Sequence, residues 1–578
     1  MEQIRKISCY VRSNKLFVIL MLVILASGIF IRFSHYTLEG YDEDSTNVLA
    51  GATYWYYPPY KMFPGMIYQE PPLGDIIIGA GCMASGEDFS GVRQVTPLFG
   101  PDRAVLFGQA AAKAEKYCFF PVYLFGVIFL IIIAIMAVIM LNKYSAIFFT
   151  AFFAYCPVII KWSRLIHVDS ILWAFVAAGI LFLWLGYSAE QNIKCERRYF
   201  ILSFLFFGMA GATKYTAGAY FIFAPLLFIG KYKSELKIYI GKLSHYLGLD
   251  IFSNLANERI NVRVLKTLLI STGTMIIAFL APFKFNPKNV FDMYNVFTTQ
   301  NRPDAGAMHF SWNFFKGMYY FFVNMNVFES IVLLLGIFIF IIIIFKKNKD
   351  KLEKFILYLL ALQFICMTLV GDIVLGIGGI FRSVPFMFGF VLLMALVFSD
   401  MPYALGQKIK PKYIYAFLII FIIFSAVTVY RAPFFQKPND IVCIFDKETC
   451  NTFGEGLGQA KASAKYLKTV IQDNETFLYG DISTAVYYYL RPETSVETWN
   501  LIAAYLQQTG RRPTLEEYVY HFRQAGKPIR YILLYKHRTS DDREEFKNKY
   551  APNHIVKAEG GEVAYVYDVE NLIPKSTS

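Results

Sequence analysis

The sequence predicts a polytopic α-helical membrane protein with about eleven transmembrane helices, followed by a C-terminal extracytoplasmic α/β domain. The chain of 578 residues is 56% hydrophobic and only 17% charged, with a mean hydropathy of +0.42, a composition typical of membrane proteins. Apolar segments of spanning length recur up to residue 430. We therefore divide the chain into a transmembrane domain, residues 1–430, and a soluble domain, residues 431–578.

The charge pattern predicts the topology. A net charge of +13 could indicate nucleic-acid binding, but the basic residues form short clusters between apolar segments and are not gathered on one domain. Such clusters mark cytoplasmic loops. With the basic N-terminus in the cytoplasm, alternation places SAEQNIKCERR, KYKSELK, KKNKDKLEK and QKIKPK inside. We expect a lipid bilayer as partner, either plasma membrane or endoplasmic reticulum, and no nucleic acid.

The first apolar run, Lys15 to Phe33, is predicted to be a span, and a cleaved signal peptide is the alternative. Residues 34–116 then form the first external loop, with interfacial helices. Within it, PPLGDIIIGAGCMASG is too short for a comfortable span, and counting it as one would turn the basic loops outward. The later spans are predicted at residues 117–141, 144–160, 170–187, 200–213, 216–230, 266–282 and 327–345, in two segments ending near 370 and 399, and at 413–430.

Polar residues gather at the predicted outer ends of these spans. Ionisable groups beside the hydrocarbon layer are costly unless they are paired or hydrated. Their position on one face therefore predicts a wet external cavity, in which a lipid-bound substrate could meet a water-soluble one. The residues concerned are Asp42, Glu43, Gln69, Glu70, Asp169, Lys214, His309 and Arg382.

The acidic triplet Asp42, Glu43 and Asp44 follows the first span directly. One interpretation is the solvated start of a loop. The other is a general base, because partial burial makes a carboxylate a better proton acceptor. Asp42 and Asp44 could also bind a hard divalent cation together with Asp169.

Three cations lie near the same boundary: Arg164 in KWSRLIHVDSILW, Lys214 in GATKYTAG and Arg382 in GIGGIFRSVPF. Surface ion pairing is the alternative for Arg164, and snorkelling is the alternative for the other two. In the functional interpretation they hold a lipid phosphate, an arginine through its planar fork and a lysine as a point charge. His167 is interpreted as a satisfied interfacial side chain.

The order of these motifs resembles membrane glycosyltransferases of the GT-C class, particularly protein O-mannosyltransferases and the lipid A aminoarabinose transferase. Asp42-Glu43 matches the Asp-Glu pair that opens the family's first external loop. SRLIHVDSIL, GMAGATKYTAG and IFRSVPF are similar to later family segments. QEPPLGD follows the family's proline motif, but Gln69 and Asp75 stand where the family has His and Lys.

The resemblance implies a GT-C-like fold and an inverting glycosyltransferase. The donor would be a sugar, mannose-like or other, on a polyprenyl phosphate, and the acceptor a protein, glycolipid or glycan. Catalysis is assigned to Asp42, as base, and Glu43; donor phosphate binding to Lys214, Arg382 and Arg164; and substrate binding to Glu70, Asp169 and His309. The resemblance also implies a metal-independent reaction with no cofactor.

Beyond residue 431 the pattern predicts helices at GLGQAKASAKYLKTVI and TLEEYVYHFRQAG, and strands at ETFLYGDI, IRYILLYK and EVAYVYDV. Alternation of this kind is typical of a small α/β domain. Cys443 and Cys450 are candidates for a disulfide bond there, because the domain is predicted to lie outside.

A multi-pass transporter or lipid flippase is the alternative function, since charges near the membrane also mark transport pathways. Transporters usually consist of two related halves, and the sequence shows no internal repeat. The one-sided distribution of charges favours the enzyme. A non-catalytic scaffold or receptor is the third class.

Overall fold

The structure, a computed structural model, describes most of the chain in separate segments. These are residues 14–34, 56, 71–89, 101–189, 193–232, 262–295, 327–369, 387–404, 410–431, 459–472, 476–479, 514–524, 529–535, 541–558 and 561–574. The described chain is helical up to residue 431 and combines helices with strands after residue 459.

The helices up to residue 431 account for every predicted span. They are α1 Lys15–Ser34, α2 Pro72–Met83, α3 Pro101–Met140, α4 Lys143–Tyr155, α5 Pro157–Trp162, α6 Asp169–Ser188, α7 Ile193–Gly211, α8 Ala219–Lys231, α9 Val262–Leu280, α10 Pro287–Asn295, α11 Val327–Phe345, α12 Lys351–Leu369, α13 Phe388–Ala404 and α14 Pro411–Arg431. Within the described residues, five segments are long and apolar enough to cross a membrane, in α1, α3, α6, α9 and α11. The chain is a multi-pass membrane protein, and the total of eleven crossings stays a prediction.

Helix α6 is the most enclosed of these five spans. Its only charged residue is Asp169, and 83% of its apolar window is buried. A helix that is apolar on all sides is typical of a bundle core. It packs against α3 and α7, and α7 packs against α9. A Cβ at Gly179 would lie 2.6 Å from the ring of Phe207, so the missing side chain lets α6 and α7 approach closely.

Contacts between helix ends agree with the alternating topology. At the ends predicted to be cytoplasmic, Lys143 Nζ donates to Asn14 Oδ1 (3.4 Å). At the opposite ends of the same two helices, Arg32 Nη1 in α1 donates to Ala154 O in α4 (2.9 Å). Helices α1 and α4 therefore run in the same direction, as alternation requires. The contacts show which ends lie together, and the assignment of one side to the cytoplasm stays a prediction.

Helix α2 covers the PPLGDIIIGAGCM segment and is too short to span. Its 12 residues are about 18 Å long, against about 30 Å of hydrocarbon. The backbone N–H of Leu73, in its first turn, donates to Ala212 O beyond the end of α7 (2.9 Å). At its other end, a Cβ at Gly81 would lie 2.5 Å from Pro121 Cγ of α3. The helix thus packs against α3 and the end of α7, and its interfacial, external position stays a prediction.

Three helices differ clearly from the predicted spans. Helix α7 begins at Ile193, inside the segment predicted to connect two spans, and not at residue 200. The second span is predicted from Tyr117, but α3 begins at Pro101 and has 40 residues, because its Ala- and Lys-containing start forms helix without being apolar. The third span is predicted to continue to Ile160, but α4 ends at Tyr155. Cys156 is extended (ψ 117°), as expected of a residue before proline, and α5 starts at Pro157.

A disulfide bond joins Cys82 of α2 to Cys118 of α3, a pairing that the sequence did not predict. Of the other cysteines that the structure describes, Cys156 and Cys195 do not take part in this bond. The predicted Cys443–Cys450 bond lies outside the described residues. A disulfide is typical of an oxidising compartment, which agrees with the external position predicted for α2.

The described residues after 459 form a mixed sheet flanked by helices. The elements are α15 Gln459–Val470, β1 Thr476–Tyr479, α16 Leu515–Gln524, β2 Ile529–Tyr535, α17 Asp541–Lys549, β3 Tyr550–Ala551, β4 His554–Ala558, β5 Gly561–Asp568 and β6 Ile573–Pro574. The strand order is β1-β2-β5-β4, with β1 parallel to β2 and the other pairs antiparallel. Helices α16 and α17 contribute Leu515 and Phe546 to a core with Ile532 and Tyr567 of the sheet. The domain boundary at residue 431 stays a prediction.

Candidate active site

Three motifs that are far apart in the sequence meet at the helix ends that are predicted to face outward. They are the PPLGD, SRLIHVDS and GATK segments. The backbone N–H of Leu73 in PPLGD donates a hydrogen bond to Ala212 O in GATK. A Cβ added at Gly74 would lie 2.5 Å from Val168 Cγ1 and 3.1 Å from Thr213 Cγ2. Only glycine therefore allows the start of α2 to lie against both the SRLIHVDS and the GATK segments.

A buried ion pair lies at this junction. Lys214 Nζ donates to both carboxylate oxygens of Asp169, at 3.2 and 3.1 Å, and both side chains are fully buried. Asp169 is the first residue of α6, where the helix dipole favours a negative charge. Lys214 follows α7, where its backbone N–H donates to Ala210 O (2.9 Å) and the chain becomes extended (φ −154°). Because an unpaired buried charge is costly, the two side chains hold each other in place.

His167 is a member of the site that the sequence reasoning did not assign. Its Nδ1 contacts Asp169 Oδ2, the side chain is buried, and its ring lies edge-on to Trp162, with ring centres 5.0 Å apart. Asp169 therefore serves a lysine and a histidine at once. The signal for this contact was the spacing of the two residues in the loop that enters α6.

Arg164 is fully buried in the same loop. Its Nη2 donates to the carbonyl oxygen of Ile31, in the last turn of α1. Arg164 thus connects the SRLIHVDS segment to the helix from which the first external loop departs. The sequence predicted the residue at this boundary and not its bond to α1.

Asp75 occupies the position at which the resembling family has a lysine, and it is buried. It lies in the first turn of α2, where a carboxylate is favoured by the helix dipole. The residue after Gly74 therefore brings a carboxyl group to the junction of the three motifs.

Several predicted site residues lie outside the described residues: Asp42, Glu43, Asp44, Glu70, His309 and Arg382. The structure therefore brings together Lys214, Asp169 and the PPLGD segment, and places Arg164 beside α1. Among the residues that it describes, no group of three or more His, Cys, Asp or Glu is close enough to hold a metal ion. The metal alternative depends on Asp42 and Asp44, which are not among them.

The sequence model of the dolichyl-phosphate-mannose-protein mannosyltransferase family matches residues 71–247. The matched region includes the PPLGD, SRLIHVDS and GATK segments, which the structure brings together. No curated protein matches the chain.

Among solved structures, the chain is similar to ArnT from Cupriavidus metallidurans bound to undecaprenyl phosphate, with 13% identity, 98% of this chain and 100% of that chain covered, and a TM-score of 0.47. It is also similar to the archaeal oligosaccharyltransferase AglB from Archaeoglobus fulgidus in complex with an inhibitory peptide and a dolichol-phosphate. That match has 12% identity, covers 96% of this chain and 76% of that chain, and has a TM-score of 0.39.

The family match confirms the resemblance predicted from the motifs, and it favours glycosyl transfer from a lipid-linked donor over transport. The match to the protein mannosyltransferase family covers residues 71–247 of this membrane protein. All three motifs that the structure brings together lie within it.

Proposed function

We propose that this protein is an inverting glycosyltransferase that moves a sugar from a polyprenyl-phosphate carrier to a hydroxyl-bearing acceptor at the external membrane face. The observation that carries the proposal is the buried Lys214–Asp169 pair at the junction of three motifs inside the family-matched region. The name of that family supports a mannose-like sugar and a dolichyl-type carrier.

The proposed phosphate site is made of cations. Lys214 follows α7 at the helix ends that are predicted to face outward, where we expect the phosphate of a lipid whose tail stays in the bilayer. A lysine binds phosphate as a compact point charge, and an arginine binds it with two parallel hydrogen bonds. We assign Lys214, Arg164 and Arg382 to the donor phosphate.

The reaction needs a base and a stabilised leaving group. The acceptor oxygen forms a bond to the anomeric carbon, and the bond between that carbon and the phosphate oxygen breaks. The electron pair leaves with the polyprenyl phosphate, whose charge the three cations stabilise. Asp42, assisted by Glu43, accepts the proton that the acceptor hydroxyl loses.

Asp169 takes a more specific role than substrate binding. Both of its oxygens contact Lys214, and one also contacts His167, so we propose that it holds these two side chains in place. Glu70 and His309 keep their proposed roles on the substrate side. The acceptor is a protein, glycolipid or glycan. The enzyme itself lies in the plasma membrane or endoplasmic reticulum, with its C-terminal domain on the outer side.

Transfer of radiolabelled sugar from polyprenyl-phosphate donors to membrane acceptors tests the proposal. We expect wild type to transfer label, Asp42→Asn to lose transfer, and Asp292→Asn, which removes a carboxylate from α10, to keep it at matched expression. Equal transfer by wild type and Asp42→Asn would exclude Asp42 as the base. Failure of wild type with every donor would contradict the proposed activity.

A further inference from the structure

Arg32, in the last turn of α1, is fully buried and was not singled out by the sequence. Its guanidinium makes three hydrogen bonds to backbone oxygens. Nη1 donates to Gly28 O (3.0 Å) and Ala154 O (2.9 Å), and Nη2 donates to Phe153 O (3.0 Å). Two of these acceptors belong to the last turn of α4, so Arg32 joins the outer ends of α1 and α4.

This arrangement satisfies the end of α4. The last four carbonyls of a helix lack intrahelical partners, and a positive charge there is favoured by the helix dipole. A guanidinium inside an apolar bundle is nevertheless expensive, and apolar side chains of similar volume often replace buried charges without loss of stability. Packing of α1 on α4 alone therefore does not explain an arginine at this position.

The neighbour of Arg32 supplies the explanation. Arg164 donates to the carbonyl oxygen of Ile31, one residue before Arg32. The two segments also meet at Gly126 of α3, where an added Cβ would lie 3.0 Å from Ser163 Cβ and 3.9 Å from Arg32 Cδ. Arg164 thus rests on a carbonyl whose position Arg32 fixes.

We propose that Arg32 is a positioning residue for Arg164 and acts on donor binding through it, an inference that rests on the phosphate-binding role proposed above for Arg164. Arg32 anchors the end of α1, and the Ile31 carbonyl then sets the orientation of the Arg164 guanidinium. Orientation is decisive because planar, two-bond recognition of phosphate has strict geometry.

A double-mutant cycle tests this coupling. The dissociation constant of undecaprenyl phosphate is measured for the full-length protein in detergent, for wild type, Arg32→Met, Arg164→Met and the double variant. Each single change is expected to weaken binding about tenfold or more. The double variant is expected to bind no worse than Arg164→Met, because Arg32 acts through Arg164. Additive losses would overturn the proposal, since a merely structural arginine would weaken binding in either background.

Ser27→Ala is a matched control. Ser27 Oγ forms a hydrogen bond with Tyr155 Oη (2.7 Å), which joins the same two helices without contact to the Ile31 carbonyl. We expect its dissociation constant to stay within about twofold of wild type. A loss as large as that of Arg32→Met would overturn the proposal, because any loosening of α1 from α4 would then have the same effect.

Arg32→Lys serves if Arg32→Met fails to fold. A lysine keeps the charge and loses the planar fork, so we expect Arg32→Lys to bind undecaprenyl phosphate more weakly than wild type. In the Arg164→Met background we expect Arg32→Lys to cause no further loss of binding. An independent effect there would overturn the inference.

Lys214→Met separates the two proposals: unchanged binding in both Lys214→Met and Arg164→Met contradicts the proposed function. Weaker binding in both, together with an additive Arg32 effect, contradicts only the role of Arg32.

Discussion

The two ends of helix α6 each place a lysine beside a carboxylate, but the surroundings of the two pairs differ. At the outer end Lys214 contacts Asp169. At the inner end Lys231 of α8 contacts Glu196 of α7. Each pair joins a lysine to a carboxylate at an end of the same apolar helix, so the pairing of opposite charges alone does not distinguish them.

The inner pair is accounted for by the end of a helix. Lys231 Nζ also donates to Gly186 O (2.7 Å) and Ala189 O (3.2 Å), which satisfies carbonyls at the C-terminal end of α6, as basic side chains commonly do. The ammonium also lies 5.6 Å from the centre of the Phe200 ring. Each of these contacts stabilises the fold.

The outer pair lies at the opposite end of α6, where the helix dipole favours the carboxylate rather than the lysine. Asp169 is shared with His167, and the PPLGD segment packs against the same loop. A buried ion pair therefore indicates a functional site through the groups gathered around it.

The largest difference is expected for loss of the carboxylates. Asp169→Asn leaves Lys214 fully buried without its counter-charge, and this should cost about 3–5 kcal/mol of unfolding free energy. Glu196→Gln should cost about 1 kcal/mol, because the inner pair is partly exposed and Lys231 keeps its carbonyl acceptors. Unfolding in detergent measures both values. Equal losses would show that the outer pair has no special dependence on its partner.

The next effect concerns the cysteines at the two ends. Cys82→Ser opens the covalent loop of 36 residues at the outer end and should cost about 3 kcal/mol. Cys195→Ser at the inner end removes a thiol that takes no part in the Cys82–Cys118 bond and should change stability by less than about 0.5 kcal/mol. Intact-mass analysis after alkylation, with and without reduction, would reveal the bond. A Cys82 that alkylates without reduction would contradict the disulfide.

A smaller effect is expected at the start of α2. Gly74→Ala forces a Cβ against Val168 and Thr213, and overpacking of this kind costs about 1–3 kcal/mol. Val168→Ala should restore part of the loss, because it removes the nearest atom. Gly273→Ala in α9 is the control, since no heavy atom lies within 4 Å of its added Cβ. Equal stability of the two glycine variants would contradict the close packing of the three motifs.

Hydropathy was sufficient to predict where the long apolar helices lie, because the hydropathy of a span depends only on consecutive residues. It also placed Lys214 and Asp169 at one boundary, since ionisable residues in apolar surroundings are rare enough to attract notice. The sequence could not show that they pair across 45 residues, because that contact depends on how α6 packs against α7.

The features that were not predicted have a similar cause, because they depend on packing between helices or on properties that hydropathy does not measure. Arg32 stands at the end of an apolar run, where an arginine ordinarily reaches toward the interface, and two of its three backbone acceptors belong to α4. The early start of α3 was missed because hydropathy marks apolar residues and not helix formation. Pro157, by contrast, was a local signal for the end of α4 that the prediction did not use.

We propose that the outer lysine, Lys214, binds the donor phosphate, which is the leaving group, whereas the inner lysine, Lys231, stabilises the fold. The most direct measurement compares initial rates of sugar transfer from a polyprenyl-phosphate donor by wild type, Lys214→Met and Lys231→Met at equal amounts of folded protein. We expect Lys214→Met to lose about 100- to 1000-fold and Lys231→Met to stay within about threefold of wild type. Similar rates for the two variants, whether both retained or both lost, would contradict the assignment.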